Sequence, residues 1–309
     1  MSNSDRTSAV VVWRFSDGRR GHDNQSLGLI DALARRVPLR HHTLEVPSAG
    51  TLFRALVTGR YAPGAALPRP TLLIGAGHAT HLPMLAARRA CGGRVVVLMK
   101  PSLPRRWFDL CIIPQHDAVP PGDGVILTHG ALNRVVRSDT LDAGRGLILI
   151  GGESAHYRWN EAEVLRQLSD VVGRCPEIAW QIADSRRTPA TTLEALRALP
   201  LRNAEFVHYE DVGGDWLREA LARSATVWVT PDSVSMLYEA LTAGAAVGLL
   251  ELPARGPSRI ERGLAVLMER GDVRRYSQWR IDRKLPAART PLDEASRCAE
   301  WILEHWLSR

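Results

Sequence analysis

Lysine is nearly missing from this chain of 309 residues: Lys100 and Lys284 are the only two. Positive charge is therefore carried by arginine, with 40 basic against 33 acidic residues and a formal charge of +7. A GC-rich genome choosing arginine codons accounts for this as well as selection for an anionic partner does. The basic residues are spread along the chain, with no aromatic-interleaved stripe of the kind single-strand binders use, so nucleic acid is not an expected partner. The charge suits an anionic small molecule or an anionic membrane surface. Cysteine is sparse and scattered (Cys91, Cys111, Cys175, Cys298) without any C-x-x-C, which excludes a disulfide framework or a zinc knot. No window approaches the ~18 consecutive apolar residues of a membrane span. Met1–Ser8 is polar and has neither the apolar stretch nor the cleavage site of a secretory signal. A soluble, cytoplasmic protein is expected.

Strand-length apolar runs alternate with helix-length amphipathic stretches. Strands are predicted at Val10–Trp13, His42–Val46, Thr71–Ile74, Arg94–Met99, Leu110–Ile113 and Val125–Leu127, with helices over Asn24–Arg36 and His81–Arg89. Periodicity is then lost until Gly144, where the boundary between two domains is placed, 1–140 and 141–309. The pattern restarts with strands at Leu147–Ile150, Ile178–Ile182, Ala204–Val207, Thr226–Val229 and Ala246–Leu250. Helices are predicted at Asn160–Val172, Asp215–Arg223, Ser233–Ala243, Arg259–Glu269 and Leu292–Trp306. Continuous Val/Ile runs separated by helices imply parallel strands covered on both faces. The expected fold is α/β, two Rossmann-like domains with parallel sheets and a cleft between them. Ligands of such sheets bind outside the carboxyl ends of the strands, so the loops that follow strands carry the information.

Five loops stand out. The first, Ser16-Asp17-Gly18-Arg19-Arg20-Gly21-His22-Asp23-Asn24-Gln25, has two glycines before a helix start, where free N–H groups suit an anion. It is not G-x-G-x-x-G, so a dinucleotide fingerprint is absent. A plain turn with Asp23 or Asn24 as N-cap is the simpler reading. The second, Gly75-Ala76-Gly77-His78-Ala79-Thr80-His81, pairs two histidines but offers no third ligand at metal-site spacing. The third is Gly151-Gly152-Glu153-Ser154. The fourth is Asp184-Ser185-Arg186-Arg187-Thr188-Pro189, where paired arginines between hydroxyls suit phosphate oxygens; a solvated helix-start loop is the alternative. In the fifth, Thr230-Pro231-Asp232-Ser233-Val234-Ser235-Met236, a strand runs into a helix start that could hold a diphosphate. Glu239 follows about one and a half turns later, within reach of vicinal hydroxyls such as a ribose. A helix capped by Asp232 or Ser233 would explain the loop equally well.

Trp13-x-x-Ser16-Asp17-Gly18-x-x-Gly21-His22-x-Asn24-Gln25-x-x-Gly28-Leu29 resembles the opening of the mitochondrial-fission-protein-like family and its bacterial relatives, regarded as GT-B-type glycosyltransferases. Further matches follow in order: Phe108-Asp109-Leu110 with Pro114-x-His116-Asp117, Thr128-x-Gly130-Ala131-Leu132-Asn133, Gly151-Gly152, Ser185–Pro189, and Thr230-x-Asp232-Ser233-Val234-Ser235-Met236-x-x-Glu239-Ala240. The resemblance spans nearly the whole chain. It implies a GT-B fold, with the acceptor on the N-terminal domain and the donor nucleotide on the C-terminal one. The last helix is then expected to pack back on the first domain.

Transferred residue by residue, it puts Asp17 and His22 in the catalytic role, with either as the general base. Gly18, Gly21, Asn24 and Gln25 fall on the acceptor side, and Gly77 and His78, in a glycine loop that allows close backbone approach to a substrate, are placed with them. Gly151, Gly152, Ser185, Arg186, Arg187, Thr188, Asp232, Ser233, Ser235, Met236 and Glu239 fall on the donor side. Gly21-His22 is similar to the Gly-His pair of lipid-linked N-acetylglucosaminyltransferases, although their full glycine-rich repeat is absent. No D-x-D pair sits at a strand end, so neither a metal nor a cofactor is expected. The expected partners are a nucleotide-sugar donor and a cell-envelope glycolipid or oligosaccharide acceptor, with peripheral contact at the inner membrane. A nucleotide-sugar epimerase and a non-catalytic membrane-associated adaptor are the alternatives on the same fold.

Overall fold

The computed structural model describes residues 9–286 and 292–307; the segment Met1–Ser8, read above for a signal, lies outside them. Two compact units divide between Arg134 and Val135, and the stretch from Glu294 onward belongs with the first. The division precedes the 140/141 position because Leu132 is buried in the core of the first unit and Val135 in that of the second.

The first unit contains β1 (Val10–Ser16), α1 (Arg20–Ala34), β2 (Leu39–Glu45), α2 (Ala49–Thr58), β3 (Leu72–Ala76), α3 (His81–Cys91), β4 (Arg94–Leu98), β5 (Leu110–Pro114) and β6 (Val125–Thr128). All its strand pairs are parallel, in the order β2-β1-β3-β4-β5-β6. Strand alternation sends Val12 into one core and Trp13 into the other, and both side chains are fully buried. That is why β3 and β5 read as unbroken apolar runs. Gly28 lets α1 lie against the chain at Asn133, whose carbonyl oxygen would sit 2.2 Å from an added Cβ.

The second unit contains β7 (Asp142–Leu149), α4 (Glu161–Arg174), β8 (Ala179–Ala183), α5 (Ala190–Ala198), β9 (Ala204–Val207), α6 (Trp216–Arg223), β10 (Ser224–Val229), α7 (Val234–Ala243), β11 (Ala246–Leu249), α8 (Arg259–Glu269), β12 (Val273–Arg275) and α9 (Tyr276–Asp282). Its sheet is again all parallel, β12-β11-β10-β7-β8-β9. In α4 the Asn160 side chain accepts the Glu163 N–H as N-cap, and Val164, Leu168, Val171 and Val172 turn inward at helical spacing. Each such aliphatic side chain contributes roughly 1.5–3 kcal/mol by its burial. The chain closes with α10 (Glu294–Ile302) and a π-helical turn, Leu303–Leu307; α10 packs on α1 through Ala295, Cys298, Ala299 and Ile302.

Both sheets are doubly wound. The chain reverses its direction of travel across the sheet between β1 and β3 in the first unit, and between β7 and β10 in the second. Such switch points open a crevice at the carboxyl ends of the two strands, because the loops that follow them turn to opposite faces.

Candidate functional site

In the first unit, the loops at the switch point are those after β1 and β3. Gly18, with φ of 74°, takes the left-handed turn that ends β1, and its N–H donates to Ser16 Oγ at 3.1 Å. Helix α1 then starts at Arg20, with Arg19 in the N-cap position and no side chain capping it. The alternative reading, a plain turn capped by Asp23 or Asn24, does not hold: both lie inside the helix. Asp23 is instead committed to Arg14 (2.6 Å) and to the hydroxyl of Ser16 (2.7 Å).

His22 comes round the first turn so that its Nδ1 lies 2.8 Å from Asp17 Oδ2. A carboxylate can only accept, so Nδ1 carries a proton, and in the neutral tautomer this leaves the lone pair on Nε2. Both side chains are shielded, His22 at 15% and Asp17 at 7% exposure. Asp17 Oδ1 accepts the N–H of Arg19 at 3.2 Å, so both its oxygens are engaged. Gly77, after β3, has φ of 83°, and a Cβ there would stand 2.4 Å from the His22 ring and 3.2 Å from Asp17 Oδ2. The absent side chain of Gly77 is the space that the Asp17–His22 pair occupies.

The other expected residues on this side are placed less tellingly. Gly21 has open space around its Cβ position and an ordinary φ, so nothing in the backbone requires glycine there. His78 is exposed, Gln25 buried and Asn24 half-buried. His81 is the buried histidine of the second loop: its Nδ1 lies 3.2 Å from Ser102 Oγ and its ring meets Phe108. Burial, with the nearby His78 adding to it, pushes the His81 imidazole down to about 4. Asp109, part of the family-like motif, braces strands by accepting the Val95 N–H (2.7 Å) and pairing with Arg88 (3.2 Å).

In the second unit the loops after β7 and β10 meet at the switch point, and the loop after β8 closes over them. The N–H of Gly151 donates to Thr230 Oγ1 at 2.8 Å and that of Gly152 to Asp232 Oδ2 at 3.0 Å. A Cβ on Gly151 would lie 2.1 Å from Asp232 Oδ2, and one on Gly152 1.9 Å from the Arg187 carbonyl oxygen. Both glycines are thus needed for three loops to pack backbone to side chain. Asp232 has no exposed side-chain surface and holds Arg187 at 2.8 Å, while the guanidinium is 42% exposed. Arg187 also donates to Ser233 Oγ at 3.1 Å. Asp232 Oδ1 is buried with no hydrogen-bond partner among the described residues.

These contacts distinguish the two arginines of the pair. Arg187 is anchored by the protein through Asp232 and Ser233, and both Arg186 and Arg187 remain exposed. Ser185 and Thr188 commit their hydroxyls to the loop itself: Thr188 Oγ1 accepts the Ser185 N–H at 2.9 Å and donates to the Gly151 carbonyl. The capping expectation also fails, since Ser233 occupies the N-cap position of α7 but its side chain makes no capping bond. The start of α7 is left without a side-chain cap next to Ser233, which Arg187 touches, and an uncapped helix start suits an anion. Ser235 is exposed, Met236 half-buried against the core, and Glu239 half-buried on α7.

Sequence reading missed a second carboxylate–imidazole pair. Asp184, at the end of β8, accepts His208 Nδ1 at 2.6 Å and the Tyr209 N–H at 2.7 Å. The signal was Asp184 at a strand end, but its partner lies after β9, and only strand order brings the two together. A cavity of about 690 Å³ opens at the opposite, amino ends of these strands, lined by Arg145, Trp180 and Trp216 among others. It lies at the end of this unit's sheet opposite to its switch point. Among the described residues no cluster of His, Cys, Asp and Glu could hold a metal, and no helix is long and apolar enough to cross a membrane.

Comparison with solved structures shows the GT-B fold. A Listeria monocytogenes protein assigned as a UDP-N-acetylglucosamine 2-epimerase is 12% identical, with a TM-score of 0.63 over 98% of each chain. The UDP-GlcNAc 2-epimerase of Neisseria meningitidis, solved with UDP-GlcNAc bound, is 10% identical with a TM-score of 0.53, covering 98% of this chain and 100% of that one. The glycotransferase of kitacinnamycin is 14% identical with a TM-score of 0.54, covering 96% and 98%. A search of curated proteins finds no match to the sequence. At such identities the likeness concerns the fold. The family model described as mitochondrial fission ELM1 matches residues 20–306, and the chain belongs to that family.

Proposed function

We propose that the protein is a glycosyltransferase that moves a sugar from a nucleoside-diphosphate donor to an acceptor hydroxyl, the donor held by the second unit and the acceptor by the first. The observation that carries the reading is the position of the two sites. Each polar constellation, Asp17–His22–Gly77 and Gly151–Gly152–Arg187–Asp232, occupies the switch point of its own sheet, where ligands of doubly wound sheets bind. In this scheme Asp17 fixes the His22 tautomer, and Nε2 takes the acceptor proton as the acceptor oxygen attacks the anomeric carbon. The bond to the diphosphate breaks and its electron pair leaves with the phosphate oxygen. That charge develops toward Arg187, Arg186 and the uncapped start of α7, and Glu239 holds the ribose hydroxyls. Asp232 is a positioning residue: it keeps the Arg187 guanidinium at one place before substrate arrives.

The epimerase reading uses the same donor site without an acceptor, and the highest TM-score reported above favours keeping it in view. A thermal-shift screen of nucleoside diphosphates and nucleotide-sugars against the purified protein tests the common core of both. A ligand present at a hundred times its Kd should stabilise the native state by about 2.7 kcal/mol. No shift with any base would end the donor assignment. Altered free nucleotide-sugar released without acceptor would replace transfer by epimerisation. The glycolipid or oligosaccharide nature of the acceptor is part of this proposal and is tested by which acceptor triggers diphosphate release.

A further inference from the structure

Basic residues are spread along the chain, but acidic ones are not. Between Glu45 and Asp109 there is no aspartate or glutamate, while the same stretch holds nine arginines and lysines. The formal excess of the whole protein is +7, so outside this stretch acidic residues outnumber basic ones. The positive charge is a property of one segment, and the fold gathers that segment largely on one side of the first sheet.

Helices α2 and α3 pack together over the core formed by Trp13, Phe15, Leu73 and Met84. Ala55 is the single fully buried residue of α2. Phe53 and Val57, one helical turn apart, stand 70% and 65% exposed, with Arg54 between them and Arg60 just beyond. On the neighbouring α3, Leu82 and Arg89 are exposed. The turn Arg105–Trp107 adds an exposed Trp107, and the adjacent Phe108 ring, 5.3 Å from that of His81, ties this turn to the start of α3. Four of the seven large hydrophobic side chains exposed among the described residues belong to this acid-free segment. Arg54, Arg60, Arg89, Arg105 and Arg106 have no carboxylate within ion-pair distance among the described residues, although Arg88 pairs with Asp109.

We propose that the α2–α3 face of the first unit docks on an anionic phospholipid bilayer. Exposed Phe and Val side chains gain by leaving water for the acyl boundary, and arginines beside them meet lipid phosphates; each feature alone binds weakly, and the two together give stable attachment. A nucleic acid would use the arginines but offers nothing to bury Val57 or Leu82. The absence of any acidic side chain in the segment removes the repulsion that anionic headgroups would otherwise meet. This inference is independent of the transferase reading, since it makes no use of either strand-end site.

The test is co-sedimentation of the full chain with phosphatidylcholine vesicles, with and without phosphatidylglycerol, at low and high salt. Retention by the anionic vesicles, lost at high salt, is expected. Each of Arg54→Gln, Arg60→Gln and Arg89→Gln should weaken it about fivefold. The double variant Phe53→Ser/Val57→Ser should abolish it with an unchanged circular dichroism spectrum, while Ile281→Ser, at an exposed apolar site of the other unit, should leave it intact. The proposal is overturned if the protein stays in the supernatant with anionic vesicles. Equal binding by wild type and the Phe53→Ser/Val57→Ser variant would overturn it too, as would an equal loss in Ile281→Ser. Tighter retention by duplex DNA than by vesicles would assign the surface to nucleic acid instead.

Discussion

Gly77 is the residue on which the first site turns. Its φ of 83° is one that side chains other than glycine adopt at a cost, and any Cβ would enter the His22 ring. Gly77→Ala should therefore displace the imidazole from Asp17 while leaving the second unit untouched. Expected is a loss of turnover comparable to that of His22→Ala, roughly 10²–10⁴, with donor affinity nearly unchanged in both. Asp17→Asn should be milder than His22→Ala, because an amide oxygen still accepts the Nδ1 proton although it stabilises a charged imidazolium less. Steady-state diphosphate release, set beside calorimetric donor binding, separates these cases. Full turnover in His22→Ala would make the loop structural. The sequence displays Asp17, Gly18 and His22 as a polar cluster after a strand, but not the role of Gly77, which follows from a contact across two strands. Nor does it reveal that Asp23 is held by Arg14, which is why a residue suited to capping lies inside the helix.

At the scale of elements, the strands that are apolar throughout are legible from sequence, and those whose pattern serves something else are not. β3, β4 and β5 need no more than their Val/Ile/Leu runs, since both faces are covered. Helix α2 is invisible to the amphipathic pattern because Phe53 and Val57 face outward, reversing the expected periodicity. β12, three residues long, is too short to stand out from the helices on either side. α1 begins earlier than its sequence suggests because no side chain caps it. Helix α3 carries its own pH dependence. Burial holds the His81 imidazole neutral down to about 4, whereas in the unfolded chain it takes a proton near 6.5. The unfolded state then binds more protons across that window, so stability falls as pH drops from about 6.5 toward 4. Thermal melts across this range should show a smaller drop for His81→Gln than for the wild type; parallel curves would remove His81 as the cause.

Over the whole molecule, two doubly wound units repeat one device: glycine after a switch-point strand admits a carboxylate and its basic partner where a side chain would intrude. In the first unit the pair is Asp17–His22, proposed as the proton acceptor. In the second it is Asp232–Arg187, proposed to meet the diphosphate beside a helix start with no side-chain cap. The division of labour between proton transfer and anion binding is what sugar transfer from a diphosphate requires. The central claim is that the second unit holds the nucleotide and that Glu239, in the proposed site, distinguishes a nucleoside diphosphate from other anions. Calorimetric titration of wild type and Glu239→Ala with the nucleoside diphosphate selected by thermal shift is the most direct measurement. Charge-assisted hydrogen bonds to two ribose hydroxyls contribute about 1.5–3 kcal/mol each, so the account predicts binding by the wild type that weakens at least ~tenfold in the variant. Equal affinity in the two proteins, or no heat from either, would contradict it.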